Sequence, residues 1–229
     1  MSRVVVSGAG RGIGRAVAVA FGARGDEIVL AARSVAELED AAREARSAGA
    51  AAARAVTCDV TDETQVRVLM DDAGPLDVVV CAAGVARVAP FTELSVQDWE
   101  ATVRTTLTGT FLCCKHAVPH LGRGGLLVLL CSIAGRTGFP EWSAYSAAKF
   151  GVLGFSQSIR AELRPRGIRV TAVLAGAVDT ALWDDVPGEW ERASMLATAD
   201  VARAVVRLAE EPPHVSVDEL VIGHVAGAL

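Results

Sequence analysis

The chain has 229 residues, with 22 Lys and Arg against 27 Asp and Glu and a net charge of −5 at pH 7. That balance, with no basic cluster, argues against nucleic acid as the main partner. Hydrophobic residues make up 52%, enough for a large core, yet the longest apolar runs stay far below the ~18 residues of a membrane span, so no membrane partner is expected.

Met1-Ser2-Arg3 leads at once into Val4-Val5-Val6, a short buried-strand signal that leaves no room for a leader peptide. Gly8, Gly12 and Gly14 follow as G-x-x-x-G-x-G, and then Ile13, Val17 and Phe21 recur at helical spacing. Strand, glycine turn and helix is the context a dinucleotide site requires. The turn is longer than G-x-G-x-x-G, with Ile13 where that pattern wants glycine, but it still aims backbone N–H groups and a helix N-terminus at a pyrophosphate.

Ile28-Val29-Leu30 is the second strand, and Ser34 with Glu37 forms a capping box that opens a helix to about Ala48. An NAD site wants an acid at the end of this strand to hold the ribose 2′-OH. Arg33 stands there instead, and Arg11 lies within the glycine turn. Two guanidiniums suit a 2′-phosphate, so NADP(H) is the expected cofactor.

Ala55–Val60 is predicted as the third strand, with Thr61-Asp62 opening a helix to about Ala73. Asp59 either bonds the adenine amino group or helps to cap that helix. Leu76–Cys81 is the fourth strand, followed by the small residues Ala82-Ala83-Gly84, which let cofactor or backbone approach closely. A long helix is predicted over about 98–121, then a strand over Leu126–Cys131 that delivers Ser132. The five cysteines (58, 81, 113, 114 and 131) lack metal-ligand spacing. They read as buried reduced thiols, which implies no metal site and a cytoplasmic location.

Tyr145, the single tyrosine, stands thirteen residues after Ser132, and Lys149 follows four residues later. In a helix over 143–163, Tyr145 and Lys149 share one face. A phenol is a poor acid–base group near neutrality, but a neighbouring cation favours its phenolate form. The trio therefore points to a carbonyl/alcohol oxidoreductase with Tyr145 as proton donor or acceptor.

Ile168–Leu174 is strand six, followed by Gly176, Val178 and Thr180. An irregular stretch, 181–197, carries Leu182, Trp183, Trp190, Met195 and Leu196 and reads as a mobile cover over a substrate. Its acids Asp184, Asp185, Glu189 and Glu191 disfavour a strongly anionic substrate, and its apolar residues favour an apolar or aromatic carbonyl compound. A helix from Ala199 to Glu210 and a closing strand over Val217–Ile222 complete the pattern. Alternating buried strands and helices predict an α/β fold: one domain over 1–229 with a doubly wound parallel (Rossmann) sheet. Ligands bind at the carboxyl ends of such strands.

Over its whole length the chain resembles the short-chain dehydrogenase/reductase family, through Gly8-x-x-x-Gly12-x-Gly14, Asp59-Val60, Ala83-Gly84, Ser132 and Tyr145-x-x-x-Lys149. The resemblance implies seven strands in the order 3-2-1-4-5-6-7 and a nicotinamide held by these motifs, with Thr180 on its carboxamide. It also implies Ser132 holding the substrate oxygen, Tyr145 transferring the proton, Lys149 on the nicotinamide ribose, and pairing of the long helices into a homodimer or homotetramer. The family's usual asparagine in the long helix is Thr106 here, and its Asn-Asn-Ala-Gly reads Cys81-Ala82-Ala83-Gly84. Thr106 either keeps a weaker proton relay or bonds its own helix carbonyl. A competing reading is therefore an NADP(H)-binding regulatory protein with little catalysis. Another keeps the cofactor but reduces imines or epimerises. The closing strand is similar to that of family members that oxidise small hydroxy acids, which pulls against an apolar substrate.

Overall fold

We describe a computed structural model that covers residues 1–227, with Asp185 covered in its backbone alone. The valine run becomes the heart of β1 (Arg3–Ser7), where Val4, Val5 and Val6 are fully buried. With β2 (Glu27–Ala32), β3 (Ala52–Thr57), β4 (Leu76–Cys81), β5 (Leu121–Leu130), β6 (Arg169–Ala175) and β7 (Glu219–Ile222) it forms one sheet of seven strands in the order 3-2-1-4-5-6-7. Every pairing is parallel. Central strands buried on both faces need a helix layer on each side. On one side lie α1 (Gly12–Ala23), α2 (Val35–Ala48) and α7 (Thr198–Glu210), packed through residues such as Phe21, Leu38 and Val205. On the other lie α3 (Glu63–Ala73), α4 (Val96–Val103), α5 (Gly109–Ala117) and α6 (Ser143–Leu163), with Met70, Leu112 and Val152 in the second core.

Local chemistry sets several boundaries as expected. Ser34 Oγ accepts from the Glu37 N–H at the start of α2, and Asp62 accepts from Thr64 and Gln65 at the start of α3. Three boundaries differ from expectation. The third strand runs over Ala52–Thr57, three residues earlier than Ala55–Val60. It is the sheet edge, and its exposed, alanine-rich residues carry no apolar signal, whereas buried Cys58 and Val60 lie just beyond it.

The single long helix expected over 98–121 is instead α4, a π-helical turn over Arg104–Thr108, and α5, and β5 already begins at Leu121. β5 starts early because Leu121 pairs with Leu76 before the register shifts to Val78 opposite Leu126. The closing strand pairs only over Glu219–Ile222, not from Val217. Among the described residues, no helix is long and apolar enough to cross a membrane.

Candidate active site

The sheet brings Ser7, Cys81, Leu130 and Ala175 to one edge, and each strand hands the chain to a loop there. The glycine turn after β1 is fixed by close backbone approaches. A Cβ on Gly14 would lie 2.2 Å from the Gly8 carbonyl oxygen, and one on Gly8 would lie 2.7 Å from the Ala83 Cα. Gly8 and Gly12 also hold positive φ, at 69° and 57°. Ala82-Ala83 therefore serves as backbone packed against the turn.

α1 opens at Gly12 behind Arg11, with no side-chain cap and no acid in its first turn. Its first N–H groups and dipole face the strand ends, the donor set a phosphate needs. The residues present fit the diphosphate of a dinucleotide. Arg11 and Arg33 are both exposed, and neither forms an ion pair among the described residues. Glu37 also reaches the turn, for a Cβ on Gly10 would lie 2.9 Å from its Oε2. Asp59 is half-buried, its Oδ1 accepting from the Thr61 N–H and hydroxyl at 2.9 and 2.8 Å. The cap of α3 falls to Asp62, so Asp59 holds the turn before the helix and does not cap it. Val60 is buried and packs against Gly109.

Across the edge, β5 delivers Ser132, whose Oγ accepts from the Ala134 N–H at 3.1 Å. That bond occupies a lone pair and leaves the hydroxyl proton to be donated elsewhere. α6 presents Tyr145 and Lys149 one turn apart, as their spacing predicts. The Lys149 ammonium is buried, donates to the Leu130 carbonyl at 2.6 Å, and lies 5.5 Å from the centre of the Tyr145 ring. The Cys131 thiol donates to the Lys149 carbonyl at 3.4 Å, and burial raises its pKa against the pull of the nearby ammonium.

Thr106 is buried inside the π-helical turn. Its Oγ1 does not bond its own helix carbonyl; Thr110 takes the Thr106 carbonyl at 2.7 Å. Instead Thr106 Oγ1 accepts from the Val85 N–H and donates to the Val85 carbonyl, each at 3.3 Å. Thr106 Oγ1 and Lys149 Nζ both border the open face of Gly84, at 3.5 and 3.9 Å from where a Cβ would stand.

Ser132 and Tyr145 line one cavity of about 240 Å³, with Ile13, Gly176, Val178 and Thr180 on one wall. Much of the remaining lining is aromatic. Trp142 packs edge-on against Tyr145 at 5.5 Å, Trp183 lies 5.5 Å from Trp142, and Trp190 lies 4.8 Å from Trp183. Neither tryptophan of the 181–197 stretch is left to solvent: Trp183 is 7% exposed, and Trp190 is partly buried against it. Met195 packs beneath Trp183, and Leu196 joins the main core and bridges to Val178, so neither faces the cavity. The side chain of Asp185 lies outside the described residues.

Arg192 ties this stretch down, donating to Asp179 at 2.7 Å, the Thr180 carbonyl at 3.0 Å and Asp184 at 2.6 Å. The bond to Asp179 is the main reason its pKa is raised. The sequence reading missed Trp142, Phe139 and Pro140 on this wall, although Phe139-Pro140-x-Trp142 stands directly before Tyr145.

A family model described as short chain dehydrogenase matches residues 2–189. The chain belongs to the short-chain dehydrogenase family. Among relatives, cis-4-hydroxycyclohexanecarboxylate dehydrogenase of Sinomonas cyclohexanicum is 42% identical over 207 residues, 87% of this chain and 82% of the relative. D-threitol dehydrogenase of Mycolicibacterium smegmatis is 37% identical over 195 residues, 81% of this chain and 75% of that one. In structure, an alcohol dehydrogenase from Thermococcus sibiricus complexed with 5-hydroxy-NADP superposes with a TM-score of 0.91 at 29% identity, covering 99% of this chain and 97% of the other. The protein is thus an oxidoreductase of a family whose members act on alcohols and ketones with a nicotinamide cofactor.

Proposed function

We propose that this protein is an NADP(H)-dependent oxidoreductase that interconverts a ketone or aldehyde and an alcohol, with Tyr145 as general acid and base. The observation that carries the reading is the meeting of Ser132 and Tyr145 in one cavity while Lys149 is buried behind the tyrosine ring. Ser132, its lone pair occupied by Ala134, donates its proton to the substrate oxygen and stabilises the charge that develops there. Tyr145 transfers the proton to or from that oxygen. The Lys149 ammonium, fixed by Leu130, keeps a positive charge beside the tyrosine ring through the proton transfer. A bound nicotinamide would supply or accept the hydride. The first-turn N–H groups of α1 would hold its diphosphate, with Gly8, Gly12, Ile13 and Gly14 shaping the turn. Asp59, Val60, Ala83 and Gly84 would border its adenosine side, and Gly176, Val178 and Thr180 its nicotinamide side.

Arg11 and Arg33, exposed at the ends of the turn and of β2, would grip a 2′-phosphate. A second reading of the cofactor rests on Glu37: a carboxylate at the glycine turn suits the free ribose hydroxyls of NAD(H). The affinity ratio for NADPH over NADH separates the two, and a ratio near one sinks the NADP(H) preference. The stretch 181–197 would cover the substrate, its aromatic residues forming the far wall. Cytoplasmic location and a homodimer or homotetramer belong to the same reading.

The test is nicotinamide consumption against a panel of ketones and aldehydes, with Tyr145→Phe run in parallel and the alcohol direction assayed as well. Turnover by the wild type and not the variant supports the reading. Tight cofactor binding without turnover in either direction favours a cofactor-binding regulatory protein instead.

A further inference from the structure

Seventeen residues line the cavity beside Ser132 and Tyr145, and none carries a charge. Its polar atoms are few. The Trp183 Nε1–H is spent on the Val178 carbonyl at 3.0 Å and the Trp190 Nε1–H on the Val186 carbonyl at 3.3 Å. The Cys131 thiol is spent on Lys149. What remains for a ligand is the Ser132, Tyr145 and Thr180 hydroxyls and the Trp142 indole.

Of the cations near the cavity, Lys149 is engaged by the Leu130 carbonyl behind Tyr145, and Arg192 is held by Asp179, Asp184 and a carbonyl. Acids dominate the bordering segments, with Glu141, Asp184, Glu189 and Glu191 all exposed. Glu141 holds a φ of 67°, the one positive value among described residues other than glycine, and its carbonyl accepts from the Ala89 N–H at 3.0 Å. That turn sets the entry of the chain into α6 and so seats Trp142 against Tyr145.

Building on the carbonyl/alcohol oxidoreductase reading, we infer that the site selects an uncharged cyclic or aromatic ketone, or the matching secondary alcohol, and rejects its carboxylated counterpart. Size agrees with a ring. A dry cavity of about 150 Å³ takes up benzene, so about 240 Å³, partly shared with the nicotinamide side, holds one ring or two fused rings. Shape agrees as well. The three tryptophans are tilted to their neighbours by 56° and 54° along a chain of contacts that ends on Tyr145 at 69°, and a flat or puckered ring stacks against such edges and faces. A carboxylate carried into this wall would lose its water under a field set by the acidic border, and the Lys149 ammonium lies behind the Tyr145 ring, outside the lining and engaged by the Leu130 carbonyl. Trp142 and Trp190 are then the residues that determine specificity.

The experiment uses three ligands of one shape: 4-oxocyclohexanecarboxylate, its methyl ester, and a 4-oxocyclohexane bearing a trimethylammonium group. Each is measured for kcat/KM with the cofactor and, separately, for quenching of tryptophan fluorescence. The neutral ester should exceed the carboxylate by at least ~100-fold in both readouts. Trp190→Phe should keep that ratio, and Trp190→Arg should shrink it by ~10-fold or more through the new guanidinium. If the ester quenches far better than the carboxylate but nothing turns over, the selectivity stands and the oxidoreductase reading fails. Equal or better use of the carboxylate overturns the inference. So does a clear preference for the ammonium compound, or failure of all three to bind or react.

Discussion

The Thr106 hydroxyl grips both the N–H and the C=O of Val85, at 3.3 Å each, from inside a π-helical turn. Its one proton and one lone pair are committed to that loop, so the residue holds the segment after Gly84 more than it passes protons. Both bonds are long, and π turns of this kind cluster at functional sites. Thr106→Ser should retain most activity. Thr106→Ala should cost about 1 kcal/mol of stability by leaving two partly buried backbone groups of Val85 without this partner. It should also weaken cofactor binding together with turnover. A loss of turnover with stability and cofactor affinity unchanged would restore the relay reading.

Tyr145→Phe keeps the ring against Trp142 and removes only the hydroxyl. We expect kcat to fall by ~10²–10⁴-fold, the usual worth of a positioned proton transfer. Cofactor affinity, read by fluorescence titration, should change less than about twofold, because the contacts with the glycine turn are untouched.

Arg11→Ala and Arg33→Ala should each weaken NADPH by roughly tenfold, the loss of one charge-assisted contact. NADH affinity should hold or improve. If Glu37 governs the ribose instead, Glu37→Gln will weaken NADH while the arginine variants leave both cofactors unchanged.

Burial pushes the Cys58 thiol from 9.0 up to about 12, and the bond to Cys81 together with burial raises Cys113 well above its usual value. A raised thiol pKa means the native state holds its proton more tightly than the unfolded state. The resulting stability is complete below pH 9 and fades as pH rises toward 12. Urea midpoints should therefore drop across that window, and Cys58→Ala should soften the drop. A native-state thiol count at pH 8 should show slow reaction at these positions; rapid labelling of Cys58 would contradict its burial.

Much of this fold was legible because its signals are local. Leu76–Cys81, apolar except for the exposed Asp77, is bounded by Pro75 and small residues, and the strand has those limits. Ser34 announced α2 through half of the expected capping box: its hydroxyl accepts from the Glu37 N–H, while the Glu37 carboxylate lies at Gly10. β3 was misplaced because an edge strand exposes its side chains and lacks an apolar pattern. The π turn left no mark either, since its cause is packing: Leu107 lies against Gly151, and Gly109 sits where a Cβ would strike Val60. The catalytic trio was legible as spacing, but the aromatic wall was not, because Trp142, Trp183 and Trp190 converge from two segments only in three dimensions. Nor does a threonine's spacing say that its hydroxyl will turn to a loop twenty-one residues away.

Trp142 and Tyr145 stand at one end of the same helix, whereas Leu182, Trp183 and Trp190 ride on a separate segment pinned by Arg192. Mutational libraries should respect that division. Diversity introduced over 182–190 can reshape the binding wall while the proton-transfer geometry stays put, so active clones with altered substrate range should be common there. Diversity at 142 moves the tyrosine as well, and most such clones should be lost.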